Sequence, residues 1–415
     1  MYLVDKTIVK VEDTLKAFGD IAKYYKQKYN VPTVSVTGSV GKTTTKDMLA
    51  SVLSQKYNTL KTMGNFNNEI GLPITIFGLE KEHEAAVLEM GMNHFGEIEH
   101  LADIGRPDVA VITNIGQSHI ENLGSREGIL KSKLEILDGL EAGSPFIINV
   151  DNDMLKTILD KDEIMEKYDV ITFGIESESA NYKAKNIKEE NGSTSFDVEY
   201  IITKTIPEID GVTAKVYLCS QHIVIPTIGI HNVYNALAAF AVGITLGIDS
   251  QKSADALSNY VPAGMRQKSV NVGGITSIED CYNASPDSMK AAIGVLSSLP
   301  AGRRIAVLAD MKELGENTIQ FHREVGAFLA EKPVDILVVY GELAQAIAEG
   351  AKKVKPDLHV VSFEEDEKED MLDWLDAQIG EGDAVLFKGS NSMKLGETAA
   401  RFISVEKTPT SSGGK

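Results

Sequence analysis

The feature that most constrains the fold is a glycine-containing turn that follows a short apolar strand. Residues 34–45 are VSVTGSVGKTTT, and a helix is predicted from about Thr43 to residue 55. Gly38 and Gly41 let the backbone N–H groups wrap a phosphate chain, and the helix N-terminus adds favourable partial charge. Lys42 can reach the phosphates, and the Thr43 hydroxyl can bind Mg²⁺. The alternative is a glycine turn with a chance Lys-Thr pair, but the order strand, turn and helix favours a phosphate loop.

Short apolar strands alternate with helices after this loop. Strands are predicted at 33–36, 85–88, 109–113, 146–149 and 170–173. This alternation is typical of a largely parallel sheet with helices on both faces. Short alternating runs at 195–201, 214–218 and 223–225 predict antiparallel strands appended to that sheet, and a long helix is predicted from Asn232 to about residue 246.

A second β-α series follows a predicted turn at 262–264. Its strands are predicted at 275–279, 304–309, 336–340, 359–362 and 384–387, with helices at about 287–298, 317–331, 342–352 and 366–378. We therefore predict an α/β chain with two domains. They are a P-loop-type mononucleotide-binding central domain (31–262), with a mostly parallel sheet, and a C-terminal Rossmann-like domain (263–405). A short strand and an amphipathic helix are predicted within 1–30, and a disordered tail at 406–415.

Composition and net charge exclude several classes of protein. The 415 residues carry 41 Lys plus Arg and 60 Asp plus Glu, a formal net charge of −19. Such an acidic chain is a poor general binder of nucleic acid or of anionic membranes. Cys219 and Cys281 lie far apart in no metal-like spacing, which fits a reducing compartment. The longest near-apolar run, 236–248, is too short to span a bilayer. We therefore expect a cytoplasmic protein without membrane insertion.

Two polar residues follow predicted parallel strands at the edge where ligands of such sheets bind. Glu89 ends one strand, and its carboxylate can hold Mg²⁺; the alternative is a glutamate in a surface turn. His119 follows the strand at 109–113 and could be a second metal ligand, a phosphate contact or a structural histidine. For His94 and His100 we favour a structural role.

Lys131 and Lys133 lie on a helix predicted to begin near Ser125. A protonated lysine near a cation site would repel the cation, so such a lysine is expected to be neutralised or modified. One chemical route is reaction of the neutral amine with CO₂, which gives an anionic carbamate that can bind a metal. For Lys131 the default is a solvated helix lysine.

Asn232 and Asn235 lie at the start of the last helix of the central domain. Their side-chain amides can contact an adenine edge. Asn232 is equally plausible as the N-cap of that helix. The spacing leaves both possibilities open.

Eight segments, taken together and in order, resemble the Mur ligases. They are TGSVGKTTT at 37–45, NFNNEIGLP at 65–73, EMGMN at 89–93, TNIGQSH at 113–119, GIHN at 229–232, DCYNASPDSM at 280–289, DMKELG at 310–315 and KGS at 388–390. The resemblance spans nearly the whole chain, from about residue 10 to residue 403.

The resemblance implies roles for individual residues. It implies that the phosphate loop binds ATP through Gly38, Ser39, Val40, Gly41, Lys42, Thr43 and Thr44. It implies that two Mg²⁺ sites use Thr43, Glu89, His119 and a carbamoylated Lys133. Asn232 would contact adenine, and Arg266 and Asp280 would close over ATP. The peptide substrate would lie near Asn65, Asn67 and Asn68. Lys42, Lys133 and His119 are the implied catalytic residues.

The last three segments resemble most closely the family members that join D-alanyl-D-alanine to UDP-N-acetylmuramoyl-tripeptide. The implied reaction consumes ATP and passes through an acyl phosphate, in a monomeric enzyme of peptidoglycan precursor synthesis. These members also carry an N-terminal domain that binds the UDP-muramoyl end. We expect that domain to be missing here, with 1–30 as the linker that follows it. The alternatives are another Mur ligase or a folylpolyglutamate-type ligase, and a non-catalytic nucleotide-binding paralogue.

Overall fold

The computed structural model of the chain describes residues 8–208, 211–261 and 268–403. Helix α1 (Thr14–Lys26) begins at Asp13, whose carboxylate accepts hydrogen bonds from the N–H groups of Leu15 and Lys16. This confirms the helix predicted near the start of the chain. The short strand predicted before it is absent from residues 8–13. The tail predicted at 406–415 and the turn at 262–264 lie outside the described residues.

The central domain is built on a sheet that is parallel through its first seven strands. Its helices and strands in this part are β1 (Thr33–Thr37), α2 (Lys42–Leu53), β2 (Thr59–Lys61), α3 (Gly71–Phe77), β3 (Ala85–Glu89), α4 (Glu97–Gly105), β4 (Val109–Ile112), α5 (Ile120–Leu123), α6 (Arg126–Leu134), β5 (Pro145–Asn149), α7 (Asp153–Lys156), α8 (Asp162–Met165), β6 (Asp169–Gly174) and β7 (Tyr182–Glu190).

Two long antiparallel strands, β8 (Ser193–Glu208) and β9 (Gly211–Ile225), extend this sheet. The strand order is β2-β3-β1-β4-β5-β6-β7-β8-β9. The predicted antiparallel extension is confirmed, but its segmentation was wrong, because the runs at 214–218 and 223–225 belong to one continuous strand. Two helices, α9 (Ile230–Thr245) and α10 (Ser250–Ser258), complete the domain.

Buried apolar residues cover both faces of the central sheet. On one face, α2, α9 and α10 pack over strand residues such as Val34 and Val36. On the other face, α1, α3, α4 and α6 pack over residues such as Leu88 and Ile112. Every residue of β1 is buried, as a central strand covered on both faces requires. The phosphate loop therefore follows a fully buried strand in the interior of the sheet.

The C-terminal domain has a second sheet with helices on both faces. Its elements are β10 (Lys268–Val272), β11 (Ile275–Glu279), α11 (Pro286–Ser298), β12 (Arg303–Ala309), α12 (Thr318–Ala330), β13 (Ile336–Tyr340), α13 (Gln345–Val354), β14 (His359–Phe363), α14 (Lys368–Gln378), β15 (Asp383–Lys388) and α15 (Leu395–Ile403). The order is β10-β11-β15-β12-β13-β14, and the strands pair in parallel except at β10. The predicted fold class is confirmed for both domains.

The elements that the sequence did not predict are mostly short or peripheral. They are β2, β7, β10, α3, α5, α7, α8, α10 and α15. Strand β2 has three half-buried residues, too few to show a period. The boundary predicted at residues 262 and 263 falls at the edge of an undescribed segment, so it stays a prediction. Across the described ranges, none of the helices combines the length and apolar character needed to cross a bilayer.

Candidate active site

The loop between β1 and α2 has the conformation of a phosphate cradle. Gly38 and Gly41 have φ angles of +152° and +85°, which side chains rarely adopt. A Cβ atom at Gly38 would clash with the Thr113 hydroxyl, and one at Gly41 would lie 2.5 Å from Asn235 Oδ1. The Lys42 ammonium folds over the loop and donates to the Gly38 carbonyl at 2.8 Å. Only glycine therefore fits at both turns of the loop without displacing Thr113 or Asn235.

Neighbouring strands support this loop from the side. Thr113 donates to the Val40 carbonyl at 2.7 Å, and Asn114 Oδ1 accepts the Val40 N–H at 2.9 Å. Both residues follow β4, which pairs with β1 in parallel. Asn114 was missed as a site residue, although a polar side chain directly after a parallel strand is the signal that would have found it.

Glu89 is the centre of a buried polar cluster at the end of β3. Its carboxylate is 0% exposed and accepts hydrogen bonds from the Thr43 hydroxyl at 2.8 and 3.0 Å. Asn67 donates to the same carboxylate at 2.8 Å. The Lys46 ammonium lies 3.8 Å away and is also buried. The structure thus brings together Thr43, Glu89 and Asn67, and it adds Lys46, which sequence reasoning missed.

His119 lies at the start of α5 in the left-handed backbone region, with φ +60°. Burial, with the charges of Lys42 and Lys133, lowers the pKa of His119 from 6.5 to about 4, so its imidazole is neutral near pH 7. Its Nδ1 atom lies 2.7 Å from Oε2 of Glu313, which comes from the C-terminal domain. The oxygen approaches out of line with the ring N–H direction. His119 therefore presents a neutral imidazole at the rim of the cleft.

Lys133 is buried on α6, only 2% exposed. Its ammonium group makes neither a hydrogen bond nor an ion pair with any residue in the described ranges. Burial and the charge of Lys42 lower the pKa of Lys133 well below the usual lysine value. Lys131 instead lies on the surface, with its ammonium 5.7 Å from the centre of the Phe95 ring. The two lysines therefore differ as the sequence analysis expected.

A cavity of about 290 Å³ lies between the two domains. Eleven of the predicted site residues line it: Ser39, Val40, Gly41, Lys42, Thr44, Asn67, Asn68, Glu89, His119, Asn232 and Asp280. Gly38, Thr43 and Lys133 are not among the lining residues. Asn65 is exposed and does not line the cavity. Arg266 lies outside the described residues.

Asp280 reaches the cavity from the C-terminal domain. Its carboxylate accepts a hydrogen bond from Lys388 Nζ at 2.7 Å, and Lys388 also donates to the Asn283 carbonyl at 3.0 Å. On this side, the cavity is therefore lined by an ion pair between the buried Lys388 and the half-buried Asp280.

Asn232 does not cap α9. The N-cap is Gly229, and Asn232 is the third residue of the helix. Its amide donates to the Ile228 carbonyl at 2.8 Å and to the Thr227 hydroxyl at 3.1 Å, while its oxygen accepts from Asn235. The capping alternative is wrong, because the chain enters the helix one turn earlier. Asn232 still lines the cavity.

The domains also touch beside the phosphate loop. Asp287, at the start of α11, accepts the Gln117 N–H at 3.2 Å, and a Cβ at Gly116 would clash with its carboxylate. Burial raises the pKa of Asp287. Asp287 and Glu313 were missed because nothing in a single sequence shows which residue of one domain meets which residue of the other.

Hard oxygen ligands at this site fit Mg²⁺. Thr43 and Glu89 offer a hydroxyl and a buried carboxylate next to the phosphate cradle. Within the described residues, no three His, Cys, Asp or Glu side chains form a metal-binding group. A cation here would therefore complete its shell with phosphate oxygens and water, as Mg²⁺ does in nucleotide sites.

Family comparison agrees with this geometry. The sequence matches the Mur ligase middle domain over residues 36–243 and the Mur ligase glutamate ligase domain over residues 265–391. The chain belongs to the Mur ligase family. It is 39% identical, over 404 residues, to the UDP-N-acetylmuramoyl-tripeptide–D-alanyl-D-alanine ligase of Bacillus subtilis. That match covers 95% of this chain and 81% of the relative.

Solved structures of Mur ligases have the same fold. MurF from Acinetobacter baumannii superposes with a TM-score of 0.83 at 31% identity, covering 97% of this chain and 83% of that one. MurF from Thermotoga maritima, solved in complex with ADP, gives a TM-score of 0.80 at 29% identity, covering 97% and 86%. The fold over both domains is therefore shared with two MurF structures, one of which was solved with ADP bound.

Proposed function

We propose that this Mur ligase joins D-alanyl-D-alanine to UDP-N-acetylmuramoyl-tripeptide with hydrolysis of ATP to ADP and phosphate. The similarity to ligases named for this reaction supports the choice of substrates. The observation that carries the chemistry is one cleft that combines the phosphate loop and Glu89 of one domain with Asp280 of the other. A phosphate cradle alone would fit any nucleotide-binding protein; a cleft closed by a second domain fits a group transfer between two further substrates.

The reaction has two steps. The terminal carboxylate of the tripeptide attacks the γ-phosphorus, the bond from that phosphorus to the β,γ-bridging oxygen breaks, and ADP leaves. The amine of D-alanyl-D-alanine then attacks the acyl carbon and loses a proton, and phosphate departs with the former carboxylate oxygen. The loop N–H groups and Lys42 hold the phosphates and offset charge in the first step. When bound, Mg²⁺ neutralises charge on the phosphates and the carboxylate.

Lys133 is proposed to act as a carbamate. Its neutral amine attacks the carbon of CO₂, an N–C bond forms, and one proton leaves to water. The lowered pKa and the absence of a described partner support this chemistry, because a neutral amine is the nucleophile. The product is an anion that suits a cation site, whereas the free ammonium would repel one.

We also propose the other residue roles that the resemblance to the Mur ligases implies. Thr43 and Glu89 would hold one Mg²⁺, and His119 with the Lys133 carbamate would hold the second. Asn232 would contact adenine, and Asp280 and Arg266 would close over ATP. Asn67 and Asn68 line the cavity where the peptide would enter, whereas Asn65 contributes only from the surface. The monomeric state and the cytoplasmic location remain predictions.

Phosphate release and product mass test this function together. We expect ATP-dependent phosphate release only when both UDP-N-acetylmuramoyl-tripeptide and D-alanyl-D-alanine are present, with a product that contains both. Replacing both substrates by a folate and L-glutamate serves as the control for a folylpolyglutamate-type ligase. Turnover with that pair and not with the muramoyl peptide and dipeptide would favour that alternative. Tight ATP binding without turnover on any acceptor would favour the non-catalytic paralogue.

A further inference from the structure

The segment after β12 reaches from the C-terminal domain to the rim of the central domain. Glu313 adopts the left-handed conformation, with φ +64°, which non-glycine residues seldom adopt. Leu314 is buried next to it, and Gly315 lies so close to α5 that a Cβ there would be 3.3 Å from the Glu121 Cα. The packing of Leu314 and Gly315 therefore fixes where Glu313 points.

Glu313 points at His119. Its Oε2 atom lies 2.7 Å from the buried Nδ1 atom of the imidazole. A carboxylate oxygen this close is favourable only if Nδ1 carries the hydrogen, because the nitrogen lone pair would repel it. The Glu313 side chain is 56% exposed, so a rotation of its carboxylate can bring the oxygen into line with that N–H. In a neutral imidazole, Nε2 is then the nitrogen that keeps its lone pair.

The same loop is held at a second point. Asp287 accepts the Gln117 N–H, two residues before His119, and fills the space beside Gly116. Two carboxylates of the C-terminal domain therefore contact one four-residue stretch of the central domain, Gly116 to His119. This stretch cannot shift without breaking contacts to both.

We propose that Glu313 is a positioning residue that fixes the tautomer and orientation of His119 when the C-terminal domain closes on the central domain. The proposal rests on the proposed function, because it supposes that His119 is a ligand of the second cation. Histidine ligands of metals commonly donate their other N–H to a carboxylate, which orients the ring and raises its basicity. Here that carboxylate comes from the other domain, so closure and completion of the cation site become one event.

Mn²⁺ titration of the full chain with a non-hydrolysable ATP analogue tests the proposal without turnover. For Glu313→Ala we expect the dissociation constant of the weaker Mn²⁺ site to rise about tenfold or more. For Glu313→Gln, whose amide oxygen can still accept from Nδ1–H, we expect a rise of less than about threefold. Glu316→Ala is the matched control, since Glu316 is exposed on the same segment. It should bind Mn²⁺ as the parent chain does.

Several outcomes would overturn the proposal. Unchanged Mn²⁺ affinity in Glu313→Ala would mean that Glu313 does not position His119. Equal losses in Glu313→Ala and Glu316→Ala would mean a general charge effect. A Glu313→Gln loss as large as that of Glu313→Ala would mean that negative charge, not the acceptor, matters. Melting temperatures of the variants separate these results from misfolding.

The ligation assay keeps this proposal separate from the proposed function. If the unmodified chain fails to ligate, the proposed substrates are wrong, yet the Mn²⁺ titration still tests Glu313. If the unmodified chain ligates, we expect Glu313→Ala to lower kcat about tenfold or more while the KM for D-alanyl-D-alanine stays within about twofold. Partial recovery of kcat in Glu313→Gln would support the positioning role.

Discussion

Lys133 of the central domain and Lys388 of the C-terminal domain are both buried, at 2% and 1% exposure. Lys388 donates to the Asp280 carboxylate at 2.7 Å and to two backbone carbonyls. Lys133 has no such partner in the described ranges, and burial lowers its pKa. One lysine is a cation with hydrogen-bonded partners, and the other is an amine whose burial disfavours the charged form.

Two histidines, one in each domain, differ in the same way as these two lysines. His322 of the C-terminal domain is buried, accepts the Met311 N–H at Nε2 (3.0 Å) and donates from Nδ1 to the Thr318 carbonyl (2.7 Å). In His119 of the central domain, by contrast, Nδ1 lies close to Oε2 of Glu313, but the oxygen is out of line with the ring N–H. Buried ionisable groups that are fully satisfied stabilise the fold, whereas unmatched ones mark a place where ligand charge is expected. By this criterion the two groups that mark a place for ligand charge, Lys133 and His119, both lie on the central domain.

Burial and, after it, the charge of Lys42 lower the pKa of both His119 and Lys133. We expect Lys42→Ala to reduce the kcat for phosphate release about a thousandfold, because a lysine at the phosphates stabilises the transition state by several kcal/mol. The melting temperature should change little, since Lys42 donates to the Gly38 and Ser39 carbonyls of the loop beside the cleft rather than to the core. A variant with near-normal turnover would exclude the phosphate-loop role.

Lys133→Ala should be almost inactive, with kcat lowered at least a hundredfold, because the anionic oxygens for the second cation are lost. A short carboxylic acid such as acetate or propionate should restore part of the activity. Lys131→Ala, two residues away on the surface of the same helix, should be close to normal. If both variants lost activity equally and neither responded to the acid, the carbamate assignment would be wrong.

Lys388→Met should destabilise the protein by about 3 kcal/mol, since it leaves the Asp280 carboxylate without its buried partner. Lys133→Met should be neutral or stabilising, because it replaces an unpaired buried amine with an apolar side chain of similar length. Urea unfolding of the two variants at pH 7.5 compares them directly. Equal destabilisation would remove the distinction between matched and unmatched lysines.

His322 gives the smallest effect, a pH dependence of stability. Burial lowers the pKa of His322 below 6.5, so below about pH 6.5 the unfolded chain binds a proton that the folded chain does not. The free energy of unfolding contributed by this group should therefore be complete above that pH and fall as the solution is acidified. His322→Gln, which keeps a donor and an acceptor but does not titrate, should flatten this part of the urea-derived stability profile. An unchanged profile would assign the dependence to other groups.

The sequence predicted those features of the molecule that depend on residues close to one another in the chain. The phosphate loop, Glu89 and His119 could be predicted to lie together because each lies at or after the end of a parallel strand, and the structure places them around one cavity. The contacts of Glu313, Asp287 and Lys46 could not be predicted in this way. The first two join positions more than 150 residues apart across two domains, and Lys46 appears in sequence as one polar residue among several on α2.

The central claim is that Lys133, which has no partner in the described ranges, is the lysine whose amine forms the active-site carbamate. Carbon-13 NMR of the protein equilibrated with ¹³C-bicarbonate, Mg²⁺ and ADP tests it most directly. We expect a carbamate carbon signal that is present in the unmodified chain and in Lys131→Ala but absent in Lys133→Ala. The same signal in Lys133→Ala, or no such signal from a chain that ligates at full rate, would contradict the account.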